Sequence, residues 1–155
     1  MPKEIEHKYL IREDLWKKVV PEKSVLIRQA YLLTDPDKTI RIRTKGDQGF
    51  ITIKGKTIGA TRTEFEFEIP LQDALELIRT MCKEVIEKTR HYIHHNNKLW
   101  EVDVFSGDNT GLTVAEIELK SEAEQYSKPD WVDKEVTSDP KYTNSNLAVK
   151  PYCKW

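Results

Sequence analysis

Two-residue alternation of charged and apolar side chains, repeated in segment after segment, is the feature that most constrains this chain. TRTEFEFEI at 61–69 is the cleanest case, with Glu64, Glu66 and Glu68 on one parity and Phe65, Phe67 and Ile69 on the other. A period of two belongs to a half-buried strand, because successive strand side chains point to opposite faces. Similar alternating or β-rich segments are KEIEHKYLI (3–11), VLIRQAYLL (25–33), TIRIRT (39–44), FITIKG (50–55), VIEKTRHYIHH (85–95), KLWEVDVF (98–105) and LTVAEIELK (112–120). TDPD at 34–37, KGDQG at 45–49 and Asn96-Asn97 supply turn chemistry between them. One amphipathic helix interrupts the series after Pro70, with Leu71, Ala74, Leu75, Ile78, Met81 and Cys82 at helical spacing. Ser121 and Glu124 read as the capping box of a short helix. The tail from Lys128 reads as loop with one helical turn near 144–149. About eight strands and one substantial helix predict a mainly β (α+β) domain over 1–155, built as an antiparallel barrel or strongly curved sheet. The helix's apolar stripe is expected on the outer wall.

The charge balance narrows the function. The chain of 155 residues carries 25 basic and 26 acidic side chains, so it lacks the basic excess of a general nucleic-acid or membrane-surface binder. No apolar stretch approaches the roughly 18 residues of a membrane helix, and the opening MPKEIEHKYL shows no secretory pattern. With only Cys82 and Cys153, in dissimilar surroundings, a disulfide framework is not expected and a reducing cytoplasm fits. KGDQG and GKTIGA contain no GxxxxGK[ST], which excludes a P-loop.

What remains is local charge. Glu4, Glu6 and Lys8 share a strand face, as do Arg41 and Arg43; Glu64, Glu66 and Glu68; Lys88 and Arg90; Glu101 and Asp103; and Glu116, Glu118 and Lys120. Each face alone is what a solvated antiparallel strand presents. Together they stack like charges strand after strand, which repel unless something of opposite charge lies between them. A barrel with these faces turned inward provides that place. Its chemistry would be a metal-assisted polyphosphate site, with carboxylates for Mg²⁺ or Mn²⁺ and guanidinium and ammonium groups for phosphate oxygens.

EIEHKYLI at the start resembles the ExExK signature of the CYTH superfamily, the triphosphate tunnel metalloenzymes. The likeness continues in order through RQAYL (28–32), IRIRT (40–44), ITIK (51–54), TRTEFEFEI, EKTRHY (87–92), WEVDVF (100–105), AEIELKSE (115–122), EVTSDPKY (135–142) and NLA (146–148). The resemblance implies an eight-stranded antiparallel barrel whose tunnel holds a triphosphate-containing small molecule, and the short chain is most similar to the small bacterial inorganic triphosphatases. It implies metal ligation by Glu4, Glu6, Glu116 and Glu118, and phosphate binding by Lys8, Arg41, Arg43, Lys54 and Arg90. It also implies a catalytic pair, Lys88 and Tyr31, and further tunnel acids at Glu64, Glu66 and Asp103, with Asp103 preferred over Glu101. Lys120, Lys134 and Asp139 fall in matching blocks without an assignable role. The segment around Asp139 and Tyr142 is similar to one that closes an end of the tunnel. The family also contains adenylyl cyclases and thiamine triphosphatases, and a non-catalytic polyphosphate-binding barrel has the same charge pattern.

Other residues have simpler readings. His7 takes the parity opposite Glu4 and Glu6 and is expected in outer packing. His91, His94 and His95 suit a solvated hairpin end better than a metal site. The four tryptophans show no regular spacing and are expected in packing. A homodimer contact through the helix has no feature of its own to support it.

Overall fold

Among the described residues, eight of the nine strands close on themselves. The computed structural model describes residues 2–155. Its strands are β1 (Lys3–Ile11), β2 (Lys23–Asp35), β3 (Lys38–Lys45), β4 (Gln48–Gly55), β5 (Thr61–Ile69), β6 (Val85–His95), β7 (Lys98–Phe105) and β8 (Thr113–Glu118). They hydrogen-bond in the order β1-β5-β4-β3-β2-β6-β7-β8 and return to β1, every pair antiparallel. Closure removes the exposed edges that an open sheet of this size presents. The β6–β7 hairpin turns on Asn96 and Asn97, with φ of 48° and 64°, the left-handed pair that a type I′ turn requires and asparagine tolerates.

The rest of the chain decorates this wall. A single turn, α1 (Glu13–Trp16), follows β1, and α2 (Leu71–Met81) follows β5. A ninth strand, β9 (Val132–Glu135), pairs with the far end of β1, and α3 (Asn144–Val149) lies close to the C-terminus. Neither α1 nor β9 was expected, because four residues are too few to establish a period. The capping box at Ser121 is a turn and starts no helix: the Glu124 carboxylate accepts from the Lys120 backbone N–H at 2.6 Å and pairs with Lys98. Strand β8 accordingly stops at Glu118, two residues short of the sequence reading.

The apolar core lies mostly outside the barrel. One cluster buries Tyr9, Trp100, Val102, Ala115 and Ile117 beneath Trp131 and Val132, with Trp16 packed against it. A second sets Ala30 and Ile42 of the wall against Ala74 and Ile78 of α2, with Leu77 completing the stripe while Met81 stays exposed. The third closes one end of the barrel: Ile86, Phe105 and Val114 meet Leu147 and Ala148 of α3, with Tyr31 and Tyr142 at its edge. His7 donates to or accepts from Tyr126 at 2.8 Å in the outer layer. His91 and His94 bond Ser24 and Glu22. No helix is long and apolar enough to cross a membrane among the described residues.

The seat of α2 is tight at one point. A Cβ on Gly49 would meet the Ala74 Cβ at 2.8 Å and the Ile69 carbonyl oxygen at 3.0 Å, and Ala74 is wholly buried. Gly49→Ala should therefore destabilise the fold by about 1–3 kcal/mol, the usual cost of overpacking. Urea unfolding of the variant measures this, and an unchanged midpoint would show that α2 does not rest on β4 as described.

Candidate active site

Strand parity carries the charged residues inward, and register sets which of them face each other. Glu6 lies opposite Glu118 and Lys8 opposite Glu116 across β1 and β8. Glu116 in turn faces Glu101 on β7. Across the barrel, Arg41 lies between Tyr31 and Thr52, and Arg43 faces Gln29. Lys54 faces Glu64, Thr52 faces Glu66, and Glu4 meets Arg62 where β1 closes onto β5. A slip in the β2–β3 register between Tyr31 and Leu33 marks a local bulge beside Tyr31.

These side chains enclose a cavity of about 200 Å³. Of the residues singled out in the sequence, Glu4, Glu6, Tyr31, Arg41, Arg43, Lys54, Glu64, Glu66, Arg90, Glu116 and Glu118 line it. Three do not. Lys8 borders a small adjoining pocket with Glu6 and Arg62, and Lys88 and Asp103 are fully buried on the same inward faces as Arg90 and Glu101. Five residues on this lining were not expected to take part: Thr39, Lys45, Arg62, Asn144 and Ser145. Arg62 has the same strand parity as Glu64 and Glu66, so alternation alone could have found it. Asn144 and Ser145 come from α3, and no periodic signal relates that helix to the barrel interior. Glu101, ranked below Asp103 as a tunnel acid, does line the cavity.

The interior divides into two electrostatic regions. On one side the acids hold their own cations. Lys54 Nζ donates to Glu4 at 2.9 and 3.2 Å, and Arg62 Nε donates to the same carboxylate at 3.2 Å. Burial opposes charge on Glu4, yet Lys54, a hydrogen bond shared with Glu64, and Arg62 hold its carboxyl well below the usual range. Glu64 moves the other way, to about 7, through burial and that same bond to Glu4. Glu6 also rises to about 7, first by burial and then by the Glu116 and Glu4 carboxylates, against the pull of Lys8.

On the other side, one charge cluster sits inside the wall. Arg90 forks onto Asp103 with Nε to Oδ1 at 2.8 Å and Nη2 to Oδ2 at 2.9 Å, while its Nη1 donates to Glu101 at 3.1 Å. Lys88 Nζ lies 2.7 Å from Asp103 Oδ2 and donates to Asn144 Oδ1 at 2.9 Å. Burial alone would raise Asp103, but Arg90 and Lys88 force its carboxyl far below the ordinary value. Burial pushes the Lys88 ammonium down to about 7; Asp103 resists this, and Arg90 and Arg43 reinforce it.

Between these regions stand two guanidiniums short of negative charge. Arg43 donates Nε and Nη2 to the neutral Gln29 Oε1 at 3.0 and 2.9 Å, and none of the salt bridges among the described residues includes it. Burial, with Arg41 and Arg90 nearby, lowers its guanidinium to about 9. Arg41 reaches Thr52 at 3.1 Å and only the more exposed Glu66, at 3.7 Å. Its Nε is buried without a partner. A buried donor with no acceptor is costly, and a buried cation with no anion more so.

The chain belongs to the CYTH domain family, whose model matches residues 2–152. It is 46% identical over 153 residues to the inorganic triphosphatase of Acetivibrio thermocellus, covering 98% of this chain and 97% of that protein. It is 35% identical over 130 residues to the inorganic triphosphatase of Nitrosomonas europaea, covering 81% and 85%. A crystal structure of an inorganic triphosphatase matches with a TM-score of 0.65 at 32% identity, covering 96% of each chain.

CYTH triphosphatases are generally dependent on a divalent metal. The donors here fit a hard cation in kind: Glu6, Glu116 and Glu118 are carboxylates on adjoining strands whose mutual repulsion a cation would relieve. They do not form a finished coordination shell. Among the described residues no three metal-binding side chains converge on one point, and Glu4 is engaged by Lys54 and Arg62.

The raised Glu6 carboxyl makes the metal-free protein sensitive to pH. Its folded value, about 7 against an ordinary 4.5, means that the folded state holds the proton more tightly. That stabilisation is fully present below about 4.5 and is lost as pH rises through about 7, a change on the order of 3 kcal/mol. Glu6→Gln, which mimics the protonated form, should raise the melting temperature at pH 8 in chelator and flatten its fall between pH 6 and 8. A variant no more stable than the parent at pH 8 would show that Glu6 is not repelled as described.

Proposed function

We propose that this protein hydrolyses inorganic tripolyphosphate, or another triphosphate, inside its barrel with Mg²⁺ or Mn²⁺. The observation that carries the reading is the buried pair Arg41 and Arg43 on the cavity lining: Arg43 has only a neutral amide for a partner, and Arg41 has an unpartnered Nε and only the more exposed Glu66 at 3.7 Å. A polyphosphate supplies several anionic oxygens in a row, and planar guanidinium forks match them. The triphosphatase relatives, similar along 98% and 81% of the chain, support the same substrate class.

The residues divide the work by position. Arg41, Arg43, Lys54 and Arg90 bind and align the phosphoryl groups, with Lys8 adding charge from the adjoining pocket. Glu6, Glu116 and Glu118, with Glu4 beside them, would hold the metal. Bound there, it would neutralise charge developing on the phosphoryl oxygens. Water attacks a terminal phosphorus, one P–O bond forms, the anhydride P–O bond breaks, and orthophosphate and pyrophosphate result. Lys88, uncharged for a large part of the time near neutral pH because of its burial, takes up a proton at Nζ. Tyr31, on the cavity surface, completes that pair. Glu64 and Glu66 orient Lys54, Arg41 and Thr52. Asp103 keeps Lys88 and Arg90 in place.

Phosphate release from tripolyphosphate and from nucleoside triphosphates, with each metal, tests the reading. No release from any of them would end it. Arg43→Ala should weaken tripolyphosphate binding roughly 10- to 100-fold, as expected for losing hydrogen bonds to a charged group. Lys88→Ala should lower kcat by about 10²–10⁴-fold while the dissociation constant changes much less. Equal loss of both would make Lys88 a phosphate ligand only.

A further inference from the structure

Asn144 opens α3, outside the barrel strands, yet its side chain lines the cavity. Its orientation is set by its neighbour. Lys88 Nζ donates to Asn144 Oδ1 at 2.9 Å; the ammonium is a donor only, and the neutral amine still has one hydrogen for Asp103 and one for this oxygen. Lys88 is in turn immobilised by Asp103 at 2.7 Å and by burial beside the Phe105 ring, 5.5 Å from Nζ. With Oδ1 committed, Nδ2 presents two N–H donors, and among the described residues it donates to no protein atom. An amide reversed to satisfy some other contact would set N–H against the ammonium, so the protonated form of Lys88 holds this presentation.

We propose that Asn144 is a substrate-binding residue whose Nδ2 donates to a phosphoryl oxygen of the bound triphosphate, in an orientation that Lys88 fixes. The proposal rests on the triphosphate reading above and adds a neutral contact to its cationic set. It also gives the C-terminal helix a direct part in binding. Ser145 lies next to it on the cavity wall. Its hydroxyl is 3.4 Å from Thr143 Oγ1, so it belongs to the helix start as much as to the site.

Aspartate and alanine at this position separate the possibilities. Asn144→Asp keeps an acceptor for Lys88 and replaces the two donors by a carboxylate oxygen. Asn144→Ala removes both functions. If the amide donates to phosphate, tripolyphosphate binding measured by calorimetry should weaken about tenfold in Asn144→Ala and about 100-fold or more in Asn144→Asp. The melting temperature of Asn144→Asp should stay at or above that of Asn144→Ala. If Asn144 served only to hold Lys88, Asn144→Ala would leave tripolyphosphate binding within about twofold of the parent, and the proposal would be overturned. Leu147→Ala loosens α3 from the apolar end without touching the amide. It should lower the melting temperature and leave binding within about twofold. A loss as large as that of Asn144→Ala would assign the effect to the helix and also overturn the proposal. Parent protein that bound no tripolyphosphate would remove the triphosphate reading itself, an outcome distinct from any ranking of the variants.

Discussion

Asp103 buried between Arg90 and Lys88 is the constraint on which the rest of the interior depends. A carboxylate taken wholly out of water costs several kcal/mol unless cations and hydrogen bonds surround it. Here a bidentate guanidinium and an ammonium, all within 2.9 Å, do so. The cluster fixes Arg90, whose remaining Nη1 reaches Glu101 on the cavity lining. It also fixes Lys88, and through Lys88 the first residue of α3. One triad therefore ties two neighbouring strands to a helix that follows them by about forty residues.

The barrel departs from the usual small domain because its charged side is the inside. Its wall is stabilised from without, by α2 over β2–β4 and by the tryptophan-rich layer over β1, β7 and β8. This frees the interior from supplying hydrophobic stability and allows it to carry charge at high density. Three outcomes of that crowding coexist on one cavity lining. Glu4 is neutralised by its own cations, Glu6 is pushed toward protonation, and Arg43 is left with a neutral amide. The last two are the groups that gain from an incoming cation and an incoming anion respectively, so the apo interior is already divided between them.

Much of this was legible in the chain because alternation has a physical cause. The parity of Glu64, Glu66 and Arg62, or of Arg41 and Arg43, follows from backbone pleating alone, and closure then decides that the parity is inward. Two things were not legible. Depth was one: Lys88 and Arg90 share a face in the sequence, yet Lys88 is wholly buried while Arg90 borders the cavity. Depth depends on barrel shear and on what covers each end, and no local pattern encodes either. Contacts made by irregular segments were the other. Asn144 reaches the interior through a tail with no period to read, and β9 pairs with β1 over only a short stretch. The turn at Ser121 shows a local rule overridden, since Glu124 found a backbone N–H and Lys98 without any helix to cap.

The apolar closure beneath α3 has a kinetic side. Ile86, Phe105, Val114, Leu147 and Ala148 fill that end with buried hydrocarbon, through which no phosphate anion can travel. On the reading proposed above, the barrel is a blind alley. Neither substrate nor product passes that end, so a fragment lying nearest to it leaves on the side where the other fragment lies. The direction in which the chain of phosphates is inserted would then set the order in which its pieces come out.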